Sequence, residues 1–171
     1  MNAQERRQAV SALLSGTDRP LSASVLAERF HVSRQVIVGD IALLRAGGMS
    51  IMATPRGYIL QSEPRGLLRR VACCHNGNDQ MEAELNALVD QGCTVLDVIV
   101  EHPIYGQLTG PLQLSSRYDV SQFIKSVAAS AARPLSALTE GIHLHTLSCP
   151  DEAAYDRAVA ALKALGVLLW D

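Results

Sequence analysis

Apolar residues recur three or four positions apart in three runs within the first 48 residues, which predicts three amphipathic helices. Gly16 ends the first run and Gly47 follows the third, whereas Ser22 and Ser33 are suited to cap the second and third helices. The first two apolar stripes consist of Ala9, Val10, Leu13 and Leu14, and of Val25, Leu26, Ala27 and Phe30. The third stripe, which we expect to face inward, consists of Val36, Ile37, Ile41 and Leu44.

Only three residues, 31–33, separate the second helix from the third, and two helices joined by so short a turn must cross steeply. This arrangement is a helix-turn-helix. Two short apolar strands, at 49–53 and 58–60, then flank a turn that contains Pro55 and Gly57, which predicts a β-hairpin. Three helices followed by a hairpin predict a winged helix-turn-helix, mostly α with a β-hairpin wing.

After a segment at 63–66 that we interpret as a linker, strand-like alternation is mixed with helical spacing. The strand-like segments lie at 68–74, 94–100, 107–114, 142–149 and 167–170, and the helical ones at 79–91, 119–131 and 151–165. The segment 94–100 has one wholly apolar face and a second face interrupted only by Asp97, so we expect most of it to be buried. Asp119 is expected to cap the helix that follows it. The order β-α-β-β-α-β-α-β predicts an α+β domain with helices against a largely antiparallel sheet.

Charge divides the chain at the same place. Residues 1–62 carry seven arginines against four acidic residues, a net charge of +3, whereas residues 63–171 carry eight basic against thirteen acidic residues, a net charge of −5. This asymmetry is typical of a nucleic-acid-binding domain joined to a domain that does not bind nucleic acid. We therefore predict a DNA-binding domain at 1–62 and a second domain at 67–171.

Composition excludes several classes of protein. Apolar residues make up 48% of the chain and charged residues 19%, so the chain can bury a core. No apolar run approaches the roughly 20 residues that cross a bilayer, and the N-terminus mixes charges of both signs, unlike a secretory signal. We therefore expect a cytoplasmic protein without a membrane partner. The cysteines lack CxxC spacing, and we expect buried free thiols at Cys73, Cys74, Cys93 and Cys149.

Polar residues stand where a winged helix-turn-helix contacts DNA. The third helix enters the major groove through its N-terminal residues, which are Ser33, Arg34 and Gln35. Arginine and glutamine have the donor and acceptor geometry to read base edges there. Arg56, at the predicted wing tip, suits a phosphate or a minor-groove edge. A single arginine is as often an ordinary solvated charge, so the prediction of binding to double-stranded DNA depends on the whole arrangement.

Histidine carries the notable chemistry of the second domain. His143 and His145 stand at i and i+2 on a predicted strand, so both imidazoles project from the same face. His75 ends another strand, and Glu82 or Glu84 in the helix that follows could add a further ligand. Imidazoles with one carboxylate suit Zn, Ni, Fe or Co rather than Mg or Ca. Two half-exposed sheet residues give the same spacing, and that alternative stays open at this point.

The motifs of both domains resemble a known family. LSASVLAERFHVSRQVIVGDIALLRAGG with GYIL looks like the helix-turn-helix of biotin-repressor-like regulators. CCHNGN, EAELNALVDQGCTVLDVIVEHPIYGQL and LTEGIHLHTL resemble the three-histidine, or 3H, domain, and almost the whole chain resembles niacin-responsive repressors of NAD biosynthesis. The resemblance implies a homodimer that binds a palindromic operator, with nicotinic acid as co-repressor and a transition metal held by three histidines and a glutamate.

The resemblance implies four metal ligands in this sequence, namely His75, Glu84, His143 and His145. The chain departs from the family pattern after His75, where it is one residue longer, so Glu82 is the substitute for Glu84. His102 and Tyr105 belong to an EHPxYG motif, and we interpret them as lining the effector pocket. The alternative is that His102 only caps the end of a strand.

Two other classes of function have to be weighed. A winged-helix regulator could respond to the transition metal itself or to another small carboxylate. A metal-dependent hydrolase could be fused to a helix-turn-helix, because two histidines, a glutamate and a metal can activate water. The chain has no nucleophile elbow, no phosphate-binding glycine loop and no HExxH motif, so we expect a regulator and not an enzyme.

Overall fold

A computed structural model describes residues 1–169, which form two compact units, one at Met1–Glu63 and one from Pro64 onward. The first unit consists of α1 (Ala3–Ser15), α2 (Ala23–Phe30), α3 (Arg34–Ala46), β1 (Ile51–Thr54) and β2 (Gly57–Leu60). The two strands pair antiparallel, with Thr54 opposite Gly57 at the turn. The prediction of three helices followed by a hairpin is therefore confirmed.

Local hydrogen bonds explain where the first three helices begin. Asn2 and Glu5 form a reciprocal capping box at α1, with both side chain to backbone distances 2.9 Å. Ser22 and Ser33 accept hydrogen bonds from backbone amides at the starts of α2 and α3, as predicted. His31 ends α2 in the left-handed conformation, with φ +54°, and so allows the short turn between the two helices.

The core of the first unit confirms most of the predicted apolar stripes but corrects two positions. The fully buried residues with the largest side chains are Leu14, Leu26, Ile37 and Ile41. Val36 was expected to face inward, and it is 38% exposed because it lies about 100° around the helix from Ile37, beyond the edge of the buried stripe. Val25 of the second stripe is also exposed. The buried stripe of α3 includes instead a carboxylate, Asp40.

Asp40 is held by the first helix. Its carboxylate accepts hydrogen bonds from Nε of Arg6 at 2.6 Å and from Nη2 of Arg6 at 3.3 Å, and Nη1 of Arg7 lies 3.6 Å away. The Asp40 side chain is 4% exposed. Because a buried carboxylate needs charged partners, the pair joins α1 to α3 in one arrangement.

Gly57 allows the wing to lie against the segment before α2. Leu21 and Tyr58 exchange two backbone hydrogen bonds, of 2.8 and 2.9 Å. A Cβ atom on Gly57 would lie 2.5 Å from the backbone of Leu21, and the φ of Gly57 is +133°. Only glycine fits this close approach.

The second unit is an α+β domain with one antiparallel sheet, as predicted. Its elements are β3 (Leu67–Cys74), α4 (Asn78–Val89), β4 (Thr94–His102), β5 (Gly106–Leu114), α5 (Arg117–Ala129), a 3-10 helix (Leu135–Thr139), β6 (Ile142–Cys149) and α6 (Glu152–Leu165). The strand order is β3-β6-β4-β5, and every neighbouring pair is antiparallel. Leu85, Leu88, Leu147 and Leu162 are among the buried residues of a core that the helices and the sheet share.

Four details of the second unit differ from the sequence-based expectation. The 3-10 helix was not predicted. Ser116, and not Asp119, caps α5, while the Asp119 carboxylate accepts hydrogen bonds from Ser115. The segment 94–100 was expected to be mostly buried, but only Val95, Ile99 and Val100 are buried and the other four residues are half-buried. The strand expected at 167–170 is a single bridge between Leu168 and Cys73, and position 170 lies outside the described residues.

The cysteines are free thiols, three of them buried and Cys74 half-buried. No helix within residues 1–169 is both long and apolar enough to cross a membrane.

Candidate metal centre and nucleic-acid interface

Three histidines and one glutamate converge inside the second unit. His143 and His145 lie on the buried face of β6, because alternate residues of that strand face the core. His75 directly follows β3, the neighbouring strand, and its backbone nitrogen donates to the carbonyl oxygen of Gly141. Glu84 reaches the same space from the middle of α4 and is 0% exposed.

The three imidazoles surround the carboxylate of Glu84 with their Nε2 atoms. Nε2 of His145 and Nε2 of His143 lie 2.7 and 3.1 Å from Oε1, and Nε2 of His75 lies 3.0 Å from Oε2. The structure therefore brings together the four residues that the family resemblance implies, and it brings Glu84 rather than Glu82 into the cluster. The histidine pair is not half-exposed, since both residues are 3% exposed.

Backbone carbonyl groups orient two of the rings. Nδ1 of His143 lies 2.8 Å from the carbonyl oxygen of Gly141, and Nδ1 of His145 lies 2.6 Å from that of Asp97. A carbonyl oxygen only accepts, so both Nδ1 atoms carry the proton and donate. Nε2 of a neutral ring is then an acceptor, as is the carboxylate oxygen beside it. A second proton on the ring, or a cation between the two acceptors, makes this contact favourable. Metal-binding histidines commonly donate their other N–H in this way.

The pKa directions follow from the same contacts. Burial alone raises the pKa of Glu84, but the three close imidazoles of His143, His145 and His75 outweigh burial and hold that pKa well below its usual range. Burial lowers the pKa of His143, but its hydrogen bond to Glu84 and the charge of Glu84 outweigh burial and raise the pKa overall. The contact with Glu84 thus favours the protonated form of His143 in the metal-free protein.

Two buried atoms show that the donor set fits a metal. Nε2 of His75 and Oε2 of Glu84 are fully shielded from solvent and have no hydrogen-bond partner among residues 1–169, although they lie 3.0 Å from each other. Buried polar atoms without a partner are costly, and two electron-pair donors at this distance are suited to one shared cation. Imidazoles with one carboxylate fit a divalent transition metal.

Cys73, which was predicted from the sequence only as a buried free thiol, also borders the cluster. Its Sγ, a carboxylate oxygen of Glu84 and a ring nitrogen of His143 lie within 4.8 Å of one another. The signal was present in the sequence, since Cys73 precedes His75 by two residues and so shares its side of the strand.

The structure places His102 and Tyr105 away from the cluster. They lie at the turn between β4 and β5, with their rings stacked at 5.0 Å between centroids and Tyr105 71% exposed. His102 is five residues along β4 from Asp97, or about 17 Å. Its Nδ1 accepts from the backbone nitrogens of Ile104 and Tyr105, as the strand-end alternative expects. A role for the two rings at an effector stays a prediction.

The residues predicted to contact DNA lie on the first unit. Ser33, Arg34 and Gln35 are exposed at the N-terminus of α3. Arg56 lies in the two-residue turn of the hairpin and is half-buried. The first turn of α3 is therefore accessible to a partner, as a recognition helix has to be.

Known proteins match both units. A 3H domain model matches residues 68–171, and a helix-turn-helix (HTH) domain model matches residues 6–59. The transcription repressor NadR of Bacillus subtilis (strain 168) is 43% identical over 169 residues, 97% of this chain and 94% of that protein. The probable transcription repressor NiaR of Thermotoga maritima is 42% identical over 166 residues, again 97% of this chain and 94% of that protein. The chain therefore belongs to the 3H domain family and carries an HTH domain before the 3H domain.

Proposed function

We propose that the protein is a DNA-binding transcription repressor of niacin-uptake or NAD-biosynthesis genes, with nicotinic acid as its co-repressor. The observation that carries the proposal is the similarity of both units to two transcription repressors over 97% of the chain. The second unit holds a divalent transition metal, Ni, Zn, Fe or Co, through His75, Glu84, His143 and His145. The contacts among these four buried side chains support this part.

The first unit binds the operator. Arg34 and Gln35 are exposed in the first turn of α3, where a recognition helix contacts base edges in the major groove. Ser33 fixes the start of that helix through its cap. A homodimer presents two such helices to a palindromic operator, with half-sites about 34 Å apart or a multiple of that distance.

Nicotinic acid acts by linkage. An effector that binds the DNA-competent arrangement of the dimer more tightly must raise operator affinity by the same factor. A metal at the cluster supplies a fixed positive charge, which favours an anionic effector over a neutral one. The carbonyl groups of Gly141 and Asp97 keep the rings of His143 and His145 in place during that binding.

The test measures operator affinity in four conditions. Fluorescence anisotropy of promoter fragments upstream of niacin-uptake and NAD-synthesis genes is recorded with and without nicotinic acid, each on metal-loaded and on chelator-treated full-length protein. We expect nicotinic acid to tighten binding at least about fivefold, and only with metal. Nicotinamide and NAD are matched comparators. Equal affinity in all four conditions would contradict the proposal.

A second candidate is a regulator that responds to the metal itself. The observation in its favour is that His75, Glu84, His143 and His145 are at most 6% exposed, so an effector has little access to them. In that case metal alone raises operator affinity and nicotinic acid adds nothing. The same four conditions distinguish the two candidates.

A further inference from the structure

Cys73 is a buried thiol beside the cluster, and the proposed function assigns it no role. We propose that Cys73 is a further ligand of the metal, so that the centre binds its ion through a thiolate as well as through imidazoles and a carboxylate. This inference rests on the proposed function, because it assumes a metal at the cluster.

The topology of the sheet places Cys73 among the donors. Cys73 is the register partner of His143 in the β3–β6 ladder, so the two side chains lie on the same face. Directly opposite residues of antiparallel strands have their Cβ atoms about 4.5–5.5 Å apart. His75 follows Cys73 by two residues, as His145 follows His143. All four donors thus lie on the same face of the two strands, with Cys73 directly opposite His143 and with His75 and His145 on either side of that pair.

The distances agree with a shared ion. The Sγ of Cys73, a carboxylate oxygen of Glu84 and a ring nitrogen of His143 lie within 4.8 Å of one another, and all three residues are buried. Ligands lie about 2.0–2.3 Å from a zinc ion, so two ligands of one ion are at most about 4.6 Å apart, close to the 4.8 Å that bounds these three atoms. The thiol proton passes to solvent as the ion binds.

The alternative role for Cys73 is a neutral hydrogen bond. Burial and the charge of Glu84 raise the pKa of the thiol, which can then donate to the Glu84 carboxylate. Serine keeps a donor at this position but cannot form a thiolate bond. Cys73→Ser therefore separates the two roles, and Cys74→Ser is the matched control, because Cys74 is the adjacent residue on the opposite face of β3.

The experiment titrates Co²⁺ into metal-free, full-length protein and records its absorption spectrum. A thiolate bound to cobalt gives a charge-transfer band in the near ultraviolet, whereas imidazole and carboxylate ligands give only visible bands. We expect both kinds of band in the natural protein and in Cys74→Ser. In Cys73→Ser we expect the visible bands without the near-ultraviolet band, and Co²⁺ affinity lower by at least about 10-fold.

Several results would overturn the assignment. A near-ultraviolet band that persists in Cys73→Ser, or that disappears in Cys74→Ser, places the thiolate elsewhere or excludes it. X-ray absorption of the zinc-loaded natural protein provides a test that needs no variant, with a sulfur neighbour expected at about 2.3 Å. A spectrum with nitrogen and oxygen neighbours only contradicts the inference and leaves the proposed function intact. Absence of any metal uptake contradicts the proposed metal centre itself.

Discussion

Nε2 of His75 lies 3.0 Å from Oε2 of Glu84 without hydrogen-bond alignment, and both atoms are sealed from solvent. The two side chains come from the end of β3 and from the middle of α4, so their meeting depends on the tertiary fold. Desolvating an ionised carboxylate beside uncharged imidazoles is unfavourable unless a positive charge lies among them. A proton or a metal ion has to supply that charge.

Removal of the strand ligands should remove the metal. We expect His143→Ala and His145→Ala each to lower the bound metal, and the double variant to hold none, because both Nε2 atoms lie within 3.1 Å of the Glu84 carboxylate. Elemental analysis of the purified full-length protein measures this. His102→Ala is the matched control and should keep its metal, since His102 lies at the β4–β5 turn. A full complement of metal in the double variant would show that the cluster is not the metal centre.

The stability of the metal-free protein should fall as the pH rises through the raised pKa of His143. A group whose pKa is raised on folding stabilises the protein below its unfolded value, near 6.5, and that contribution is lost above its folded value. The lowered pKa of Glu84 has the opposite sign, so its contribution to stability is lost as the pH falls. Chemical denaturation of chelator-treated protein between about pH 6 and pH 9 measures how the free energy of unfolding changes with pH. His143→Gln is the control, in which the contribution of His143 to this pH dependence should vanish.

Zinc should reverse the fall in stability that the metal-free protein shows as the pH rises. Protons compete with the ion for imidazole nitrogen, so the stabilisation that zinc confers should grow over the same rise in pH. A zinc effect that is independent of pH would argue against imidazole ligands.

The fold was predictable where local signals coincide with tertiary structure. Ser22 and Ser33 cap helices in which most of the predicted apolar positions also face the core, so capping and packing largely agree. The prediction was wrong for Val36, which lies beyond the edge of the buried stripe, and that stripe includes instead Asp40, a carboxylate whose partner, Arg6, is 34 residues away. Apolar spacing alone carries no information about such a partner.

The candidate site was predictable in part for the same reason. The shared face of His143 and His145 follows from a period of two residues, whereas the choice of Glu84 over Glu82 follows from the orientation of α4 against the sheet. Asp97 contributes through its backbone carbonyl, which no sequence pattern reports. The shared face of Cys73 and His75 was likewise visible in the sequence, but the position of Cys73 opposite His143 depends on the pairing of β3 with β6, which one strand does not reveal.

Arg34 should be required for operator recognition. We expect Arg34→Ala to abolish specific binding, since one bidentate base contact contributes about 1–3 kcal/mol, while dimerisation and metal content stay unchanged. Footprinting on a palindromic operator measures specific binding. Lys125→Ala removes one exposed positive charge from the second unit and should bind the operator normally. An unchanged footprint with Arg34→Ala would contradict the assignment of α3 as the recognition helix.

Because Asp40 is buried, its ion pair should contribute more to the free energy of unfolding than a similar pair on the surface does. Asp40→Ala removes two hydrogen bonds from Arg6, and we expect a loss of about 1.5–3 kcal/mol from the free energy of unfolding. Asp90 makes an equally short bidentate pair with Arg117, but the side chains are 36% and 68% exposed, so Asp90→Ala should cost less than about 1 kcal/mol. Hydrogen exchange of the full-length chain measures the effect locally. Equal losses would show that solvent exposure is not what separates the two pairs.

Gly141 should be required for the geometry of the metal centre although it has no side chain. A Cβ atom there would lie 2.3 Å from the carbonyl oxygen of His75, and the φ of Gly141 is +97°, so Gly141→Ala must push the end of β3 away from β6. The carbonyl group of Gly141 also accepts the Nδ1 hydrogen bond of His143, so the same displacement turns that ring. We expect metal affinity to fall by about 10- to 100-fold, the range seen when partners that orient ligands are lost.

Gly166→Ala is the matched control for that variant. Gly166 also has a positive φ, +70°, but an added Cβ atom would meet nothing within 4 Å among residues 1–169. It therefore carries the backbone strain of the substitution without the collision with His75. Competition with a metal indicator on both full-length variants measures the affinities. If Gly141→Ala binds metal as tightly as Gly166→Ala does, the close approach of Gly141 to His75 has no part in shaping the centre. A selective loss in Gly141→Ala means that the backbone contact between β3 and β6 holds the ligands from the two strands at a common distance from the ion.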